Sequence, residues 1–208
     1  NNMFNVPTKS YNFTLRHYQE EIVKYIFNYL KNYNKIYLNL ATGGGKSYIT
    51  FNVLKKLLPP IIIIFSPRKK INQQNASSKY VDMLGTNYNI YNFSEDKNFD
   101  DFMKSTNKKI IVCCTQSANN LLNKINKIIL KDMFIWFDEA HWAVENWIKQ
   151  EEKKYWLESK DIKFRLFTSA SPNENIVKSN KEFFGEYYHP FTVKYLIEND
   201  YLCKIVPY

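Results

Sequence analysis

Cysteine is scarce, with only Cys113, Cys114 and Cys203 in 208 residues. Three cysteines cannot build a disulfide framework, and these have no metal-ligand spacing. A cross-linked secreted scaffold is therefore excluded, and a reducing setting fits best. No apolar run approaches the roughly 18 residues that a membrane-crossing helix needs. The stretch from Asn1 to Tyr18 mixes polar and apolar residues and has no apolar signal core. The expected setting is intracellular (cytoplasmic, nuclear or viral) with no membrane partner. Arginine is rare as well: of 29 basic residues only Arg16, Arg68 and Arg165 are arginine. There is no internal repeat and no low-complexity linker.

Apolar mass, by contrast, is ample. Hydrophobic residues make up 45% and aromatics 17% of the chain, which excludes disorder as its main state. The length fits one large domain or two small ones. Lys and Arg exceed Asp and Glu by 29 to 20, a net charge of +9. Such a surplus points to a polyanion partner, often nucleic acid. A lysine-rich solubilising surface is the plainer alternative.

Short apolar runs alternate with longer helical stretches. Leu15 to Leu30 sets Ile22, Ile26 and Leu30 at helical spacing and reads as an amphipathic helix. Lys35 to Leu40 reads as a strand, followed by a loop and a helix to about Lys56, which Pro59-Pro60 stops from continuing. Ile61 to Phe65 is a continuous β-branched run, the mark of a strand buried on both faces. Lys109 to Cys114, Met133 to Phe137 and Lys163 to Phe167 are further strands. The polar stretch from Asn92 to Asn107 reads as a loop. Strands alternating with helices imply an α/β fold, a mostly parallel sheet with helices on both faces.

Two motifs carry chemistry. Between the first strand and its helix stands Thr42-Gly43-Gly44-Gly45-Lys46-Ser47. Glycines let a backbone curl and aim several N–H groups at phosphates, and a helix N-terminus adds partial positive charge. Lys46 would neutralise phosphate oxygens and the Ser47 hydroxyl would ligate Mg²⁺. Leu40 stands where the full pattern has its first glycine. The second motif, Asp138-Glu139-Ala140-His141, follows the buried run Met133 to Phe137. Carboxylates at the carboxyl end of such a strand sit where open α/β sheets bind ligands. Asp138 would hold Mg²⁺, and Glu139 would orient and deprotonate a water attacking a γ-phosphate.

In this order the motifs resemble the first RecA-like domain of superfamily 2 helicases, with a second motif that reads DEAH. The resemblance implies a RecA-like P-loop NTPase fold with ATP and Mg²⁺ as cofactors. It implies that Leu15-Arg16-His17-Tyr18-Gln19 reads adenine, with Arg16 and Gln19 at the base. It assigns Ser66-Pro67-Arg68 through Gln73 to motif Ia, with Ser66, Arg68 and Lys69 on the nucleic-acid backbone. Thr115 and Gln116, in Cys114-Thr115-Gln116-Ser117, resemble motif Ib in the same role. Ser169-Ala170-Ser171 matches motif III, which couples nucleotide to nucleic acid, and His141 would join it by hydrogen bonding. The pattern is most similar to the type III restriction subunit and DNA-repair members. It implies three parts: residues 1–34 as a helical segment with the adenine reader, 35–184 as the ATP-binding domain, and 185–208 as an exit toward a second RecA-like domain. That second domain would supply the arginine finger, because none of Arg16, Arg68 or Arg165 stands in such a motif. The expected function is ATP-driven unwinding of, or translocation along, DNA or RNA. A non-catalytic clamp or scaffold that binds nucleotide and nucleic acid is the alternative.

Overall fold

The computed structural model describes residues 14–67, 77–93 and 97–203. Seven strands form one sheet: β1 (Lys35–Asn39), β2 (Ile61–Ser66), β3 (Tyr88–Asn92), β4 (Lys108–Cys114), β5 (Met133–Phe137), β6 (Phe164–Ser169) and β7 (Glu186–Tyr188). Their order across the sheet is β3-β4-β2-β5-β6-β1-β7, and every pairing is parallel. All carboxyl ends therefore lie along one edge.

The run at β2 explains why the sheet is buried on both sides. Ile62 and Ile64 face one core, with Leu38, Trp136 and Leu166. Ile61, Ile63 and Phe65 face the other, with Ile135, Phe137 and Phe167. The period-2 alternation of a strand divides the run between two layers. The first layer is covered by α1 (His17–Tyr33) and α2 (Lys46–Leu57). Tyr18, Ile22, Val23, Ile26 and Leu30 form the buried stripe of α1. The helix ends at Asn34, whose left-handed backbone (φ 58°) lets its N–H reach the Leu30 carbonyl. The second layer contains Leu121, Leu130, Trp147 and Trp156. Trp147 and Trp156 are core residues, whereas Trp142 is 57% exposed.

One expectation needs correction. The polar stretch from Asn92 to Asn107 is not simply a loop. It contains a helix, Phe99–Lys104, and Tyr88–Asn92 before it is a strand. Phe99 and Phe102 pack on Tyr91, and these few aromatics suffice where the surrounding polar residues mask them. The tail also adds structure. Residues 186–188 pair with β1, and Tyr25 of α1 donates from its hydroxyl to the Glu186 carboxylate at 2.8 Å. Helix Val193–Glu198 follows and buries Leu196 in the α1–α2 layer.

Candidate nucleotide and nucleic-acid site

The loop after β1 is compact. The Gly44 N–H donates to the Ala41 carbonyl at 2.9 Å, which makes a tight turn. A Cβ at Gly44 would stand 2.7 Å from the Leu40 side chain and 2.9 Å from the Ala41 oxygen, so only glycine fits. Gly45 caps α2 in left-handed backbone (φ 91°) that other residues rarely adopt. Thr42 and Gly43 are exposed, and Lys46 and Ser47 open the helix half-buried. Lys46 Nζ reaches the Leu40 carbonyl at 3.4 Å. Burial pulls its pKa below the ordinary lysine range, while the charges of Glu139 and Asp138 pull it back. The lysine of the first motif thus lies within the field of both carboxylates of the second.

Asp138 is 5% exposed at the end of β5 and is tightly oriented. Its Oδ1 accepts from the Thr168 hydroxyl and from the Glu139 N–H, each at 2.9 Å. Trp136 Nε1–H in turn donates to the Thr168 hydroxyl at 2.9 Å. Glu139 has a positive φ of 51°, a conformation that costs a non-glycine residue about 1–3 kcal/mol and gathers at functional sites. His141 Nδ1 stands 2.7 Å from Ser169 Oγ and 3.5 Å from Glu139 Oε2. Ser169 Oγ also accepts from the Ser171 N–H at 3.0 Å. Glu139, His141 and the Ser169-Ala170-Ser171 loop are one connected group.

The segment expected to read adenine lies against the glycine loop. Gln19 Oε1 accepts from the Arg16 N–H at 3.0 Å, and Gln19 Nε2 donates to the Gly44 carbonyl at 3.0 Å. Tyr18 donates to the same carbonyl at 2.6 Å. A cavity of about 340 Å³ opens beside them, lined by Arg16, Gln19, Gly43, Gly45, Tyr48 and Tyr80. Arg16 Nη1 also donates to the Tyr201 carbonyl at 2.7 Å.

The expected nucleic-acid residues divide. Ser66 and Thr115 stand at the carboxyl ends of β2 and β4, but their side chains are buried (0% and 2% exposed). Ser66 ends β2 inside the sheet, and Thr115 opens the short 3₁₀ turn that follows β4. Gln116 is exposed, and its Nε2 lies 3.4 Å from the Pro67 carbonyl, which joins the two segments. Arg68 and Lys69 lie outside the described residues. The sequence reading placed Tyr18 in the expected adenine segment without giving it a role, and missed Tyr48, Tyr80, Thr168 and Glu145. Thr168 adjoins the Ser-Ala-Ser run, and Tyr18 adjoins Gln19; both neighbours were signals. Glu145 carried none.

Residues 12–174 match the family model described as type III restriction enzyme, res subunit. Over 104 residues the chain is 32% identical to "Putative ATP-dependent RNA helicase QP509L" of African swine fever virus, covering 41% of this chain and 20% of that protein. The chain thus spans about a fifth of the length of the curated relatives it matches. Among solved structures, a nuclease-deletion mutant of the Type ISP restriction-modification enzyme LlaGI, in complex with a DNA substrate mimic, superposes with a TM-score of 0.68 at 14% identity. That match covers 91% of this chain and 21% of the other. The UvsW helicase of bacteriophage T4 gives 0.59 at 21% identity, over 86% and 61%. At these identities the structural likeness is one of fold, that of RecA-like helicase domains.

Proposed function

The chain belongs to the family of the type III restriction enzyme res subunit, and from that premise we propose that it binds ATP for a nucleic-acid-dependent motor that translocates along or opens a duplex. One observation carries the reading: Lys46 lies within the field of Asp138 and Glu139. These groups come from two loops separated by more than 90 residues, at the carboxyl ends of β1 and β5, with β6 between them in one parallel sheet. In the reading, Lys46 and the loop N–H groups hold the β- and γ-phosphates, and Glu139 orients the attacking water and takes its proton. Gln19 and Arg16 face the base.

Ser47 and Asp138 would hold Mg²⁺. Their donors are hard oxygens, and Thr168 and the Glu139 N–H fix the Asp138 carboxylate. Among the described residues no group of three or more His, Cys, Asp or Glu forms a metal cage. Bound there, Mg²⁺ neutralises phosphate charge.

A second RecA-like domain completes the site in this reading. Of the described arginines, Arg16 is held by the Tyr201 carbonyl and Arg165 is buried at the start of β6. Neither is placed to stabilise a γ-phosphate as an arginine finger would, a contribution of about 10³–10⁵ in rate. Nucleic acid, DNA or RNA, runs along the carboxyl edge past Gln116. Retention of Glu139 in its unusual backbone favours hydrolysis over a clamp that only binds.

The test is steady-state phosphate release by residues 1–208, with and without single-stranded nucleic acid, beside Glu139→Gln. The expected result is slow release, little stimulated by the strand, and about 10²–10⁴-fold lower in Glu139→Gln while Mg·ATP still binds. Release indifferent to Glu139 would overturn the catalytic assignment.

A further inference from the structure

Glu145 is a buried carboxylate for which the roles above have no use. It lies seven residues after Asp138, in the short 3₁₀ helix Val144–Lys149, and is 3% exposed. Its N–H donates to the Ala140 carbonyl at 3.1 Å, which ties it to the DEAH turn. Its carboxylate accepts from two other parts of the molecule. The Tyr37 hydroxyl donates to Oε1 at 2.8 Å, and the Asn173 N–H is shared between both oxygens at 3.2 Å.

Each of these partners leads to a functional segment. Tyr37 lies on β1, two residues before Asn39 and on the strand that ends in the phosphate loop. Its ring is parallel to that of Phe167 on β6, 5.8 Å away. Asn173 follows the Ser169-Ala170-Ser171 loop and caps the helix Glu174–Ser179 through its side chain. The loop is therefore held at both ends: Ser171 N–H by Ser169 Oγ, and Asn173 N–H by Glu145. His141, which meets Ser169 on the front of the site, also faces Glu145 electrostatically.

Burying a carboxylate is costly, and here no basic side chain among the described residues hydrogen-bonds to it. Desolvation raises its pKa, and the Tyr37 hydroxyl, the Asn173 N–H and the charge of His141 oppose that rise. A core that needed only filling would place an apolar residue here at lower cost. A carboxylate that serves two donors on separate elements fixes their relative position, which an apolar residue cannot do.

We propose that Glu145 is a positioning residue that transmits the state of the nucleotide site from β1 and the DEAH turn to the Ser169–Asn173 loop. This rests on the nucleotide reading above. Glutamine at 145 keeps the size but presents one acceptor oxygen and an NH₂ group. It keeps an acceptor for the Tyr37 hydroxyl but loses the charge and, in place of Oε2, turns N–H toward the Asn173 N–H that the two oxygens now share.

The experiment measures hydrogen exchange of residues 169–174 in the 208-residue chain, with and without Mg·AMP-PNP, in the wild type, Glu145→Gln and Tyr37→Phe. Calorimetry on the same samples gives nucleotide affinity. In the wild type, nucleotide changes protection of 169–174. In Glu145→Gln that change falls by more than about half, while affinity stays within about threefold. Tyr37→Phe keeps the ring and the Asn173 bond, so it lowers the response less, and it serves if Glu145→Gln folds poorly. A merely structural role would instead loosen the whole second layer equally with and without nucleotide, and that result would overturn the proposal. So would a full response in both variants. A wild type that binds AMP-PNP with no change at 169–174 overturns this inference alone. A wild type that binds none overturns the nucleotide reading and the inference with it.

Discussion

The two edges of the sheet both bury cations, yet they answer them differently. At the amino edge, Arg165 donates to the Trp156 and Ser159 carbonyls, and Lys35 to those of Leu157 and Glu182 at 2.9 and 2.6 Å. Lys109 donates to the Ser105 and Asn107 carbonyls at 2.5 and 2.7 Å. These acceptors lie at helix ends and in loops, where carbonyls lack intrahelical partners and carry partial negative charge. The cations are absorbed by the fold. At the carboxyl edge, Lys46 meets the Leu40 carbonyl at 3.4 Å, beyond the usual hydrogen-bond range, with two carboxylates nearby. A cation held this loosely is available to a ligand.

Cavity size would mislead here. A cavity of about 620 Å³ opens at the amino edge, against about 340 Å³ beside Gln19. Lys104 and Lys124 on its wall stand in the last turns of their helices, where they offset the negative helix ends. The smaller opening is lined by Gly43 and Gly45 of the glycine loop, and the proposed chemistry follows that loop.

The contrast can be broken in graded ways. The largest effect is expected at Arg165→Ala. It strips two buried carbonyls of their donor and leaves a void, a loss of about 2–5 kcal/mol in chemical denaturation. Nucleotide affinity should survive wherever the variant is folded. Gly44→Ala should do the reverse. The added methyl collides with Leu40 and the Ala41 carbonyl, and the loop must shift, for about 1–3 kcal/mol of stability. Mg·ATP binding should fall much further than stability does, as a titration beside a thermal melt would show.

The smallest effect is in pH. Burial, helped by the neighbouring Arg165 charge, lowers the Lys35 pKa from 10.5 to about 8. Between those values the unfolded chain holds the proton more tightly, so this group's cost disappears as pH rises and stability increases. Lys109, also lowered by burial, adds the same sign. Above about pH 10 the trend reverses. Burial holds the Tyr25 and Tyr88 hydroxyls up to about 12, so unfolded tyrosines ionise first and stability falls. Burial also raises the Cys113 thiol, which ionises in the unfolded chain from about pH 9, so denaturation midpoints should peak between about pH 9 and 10, and Lys35→Met should flatten the rising limb. A monotonic fall from pH 8 would contradict this assignment.

What the sequence disclosed follows the physics of each signal. Continuous β-branched runs mark strands buried on two faces, so β2 and β5 were legible almost to the residue. The glycine loop and DEAH turn stood out because the chemistry proposed for them demands fixed residue types at fixed spacing. Strand β7 was not, because three residues with two tyrosines carry no periodicity and gain their place from β1. Helix Phe99–Lys104 was hidden because one aromatic face suffices for a short surface helix. Glu145 was invisible for a different reason. Its partners Tyr37 and Asn173 are 108 residues before it and 28 after it, and only the folded sheet unites them. Ser66 and Thr115 show the converse: motif position located them correctly at strand ends, but burial is a property of packing.

The claim that the carboxyl edge is a nucleotide site is tested most directly by titrating Mg·ATP into the wild type, Lys46→Ala and Lys35→Ala. Loss of the charge-assisted phosphate contact at Lys46 should weaken binding by about 1.5–3 kcal/mol with little change in melting temperature. Lys35→Ala should lower the melting temperature and leave affinity unchanged. Equal affinity in the wild type and Lys46→Ala would contradict the account.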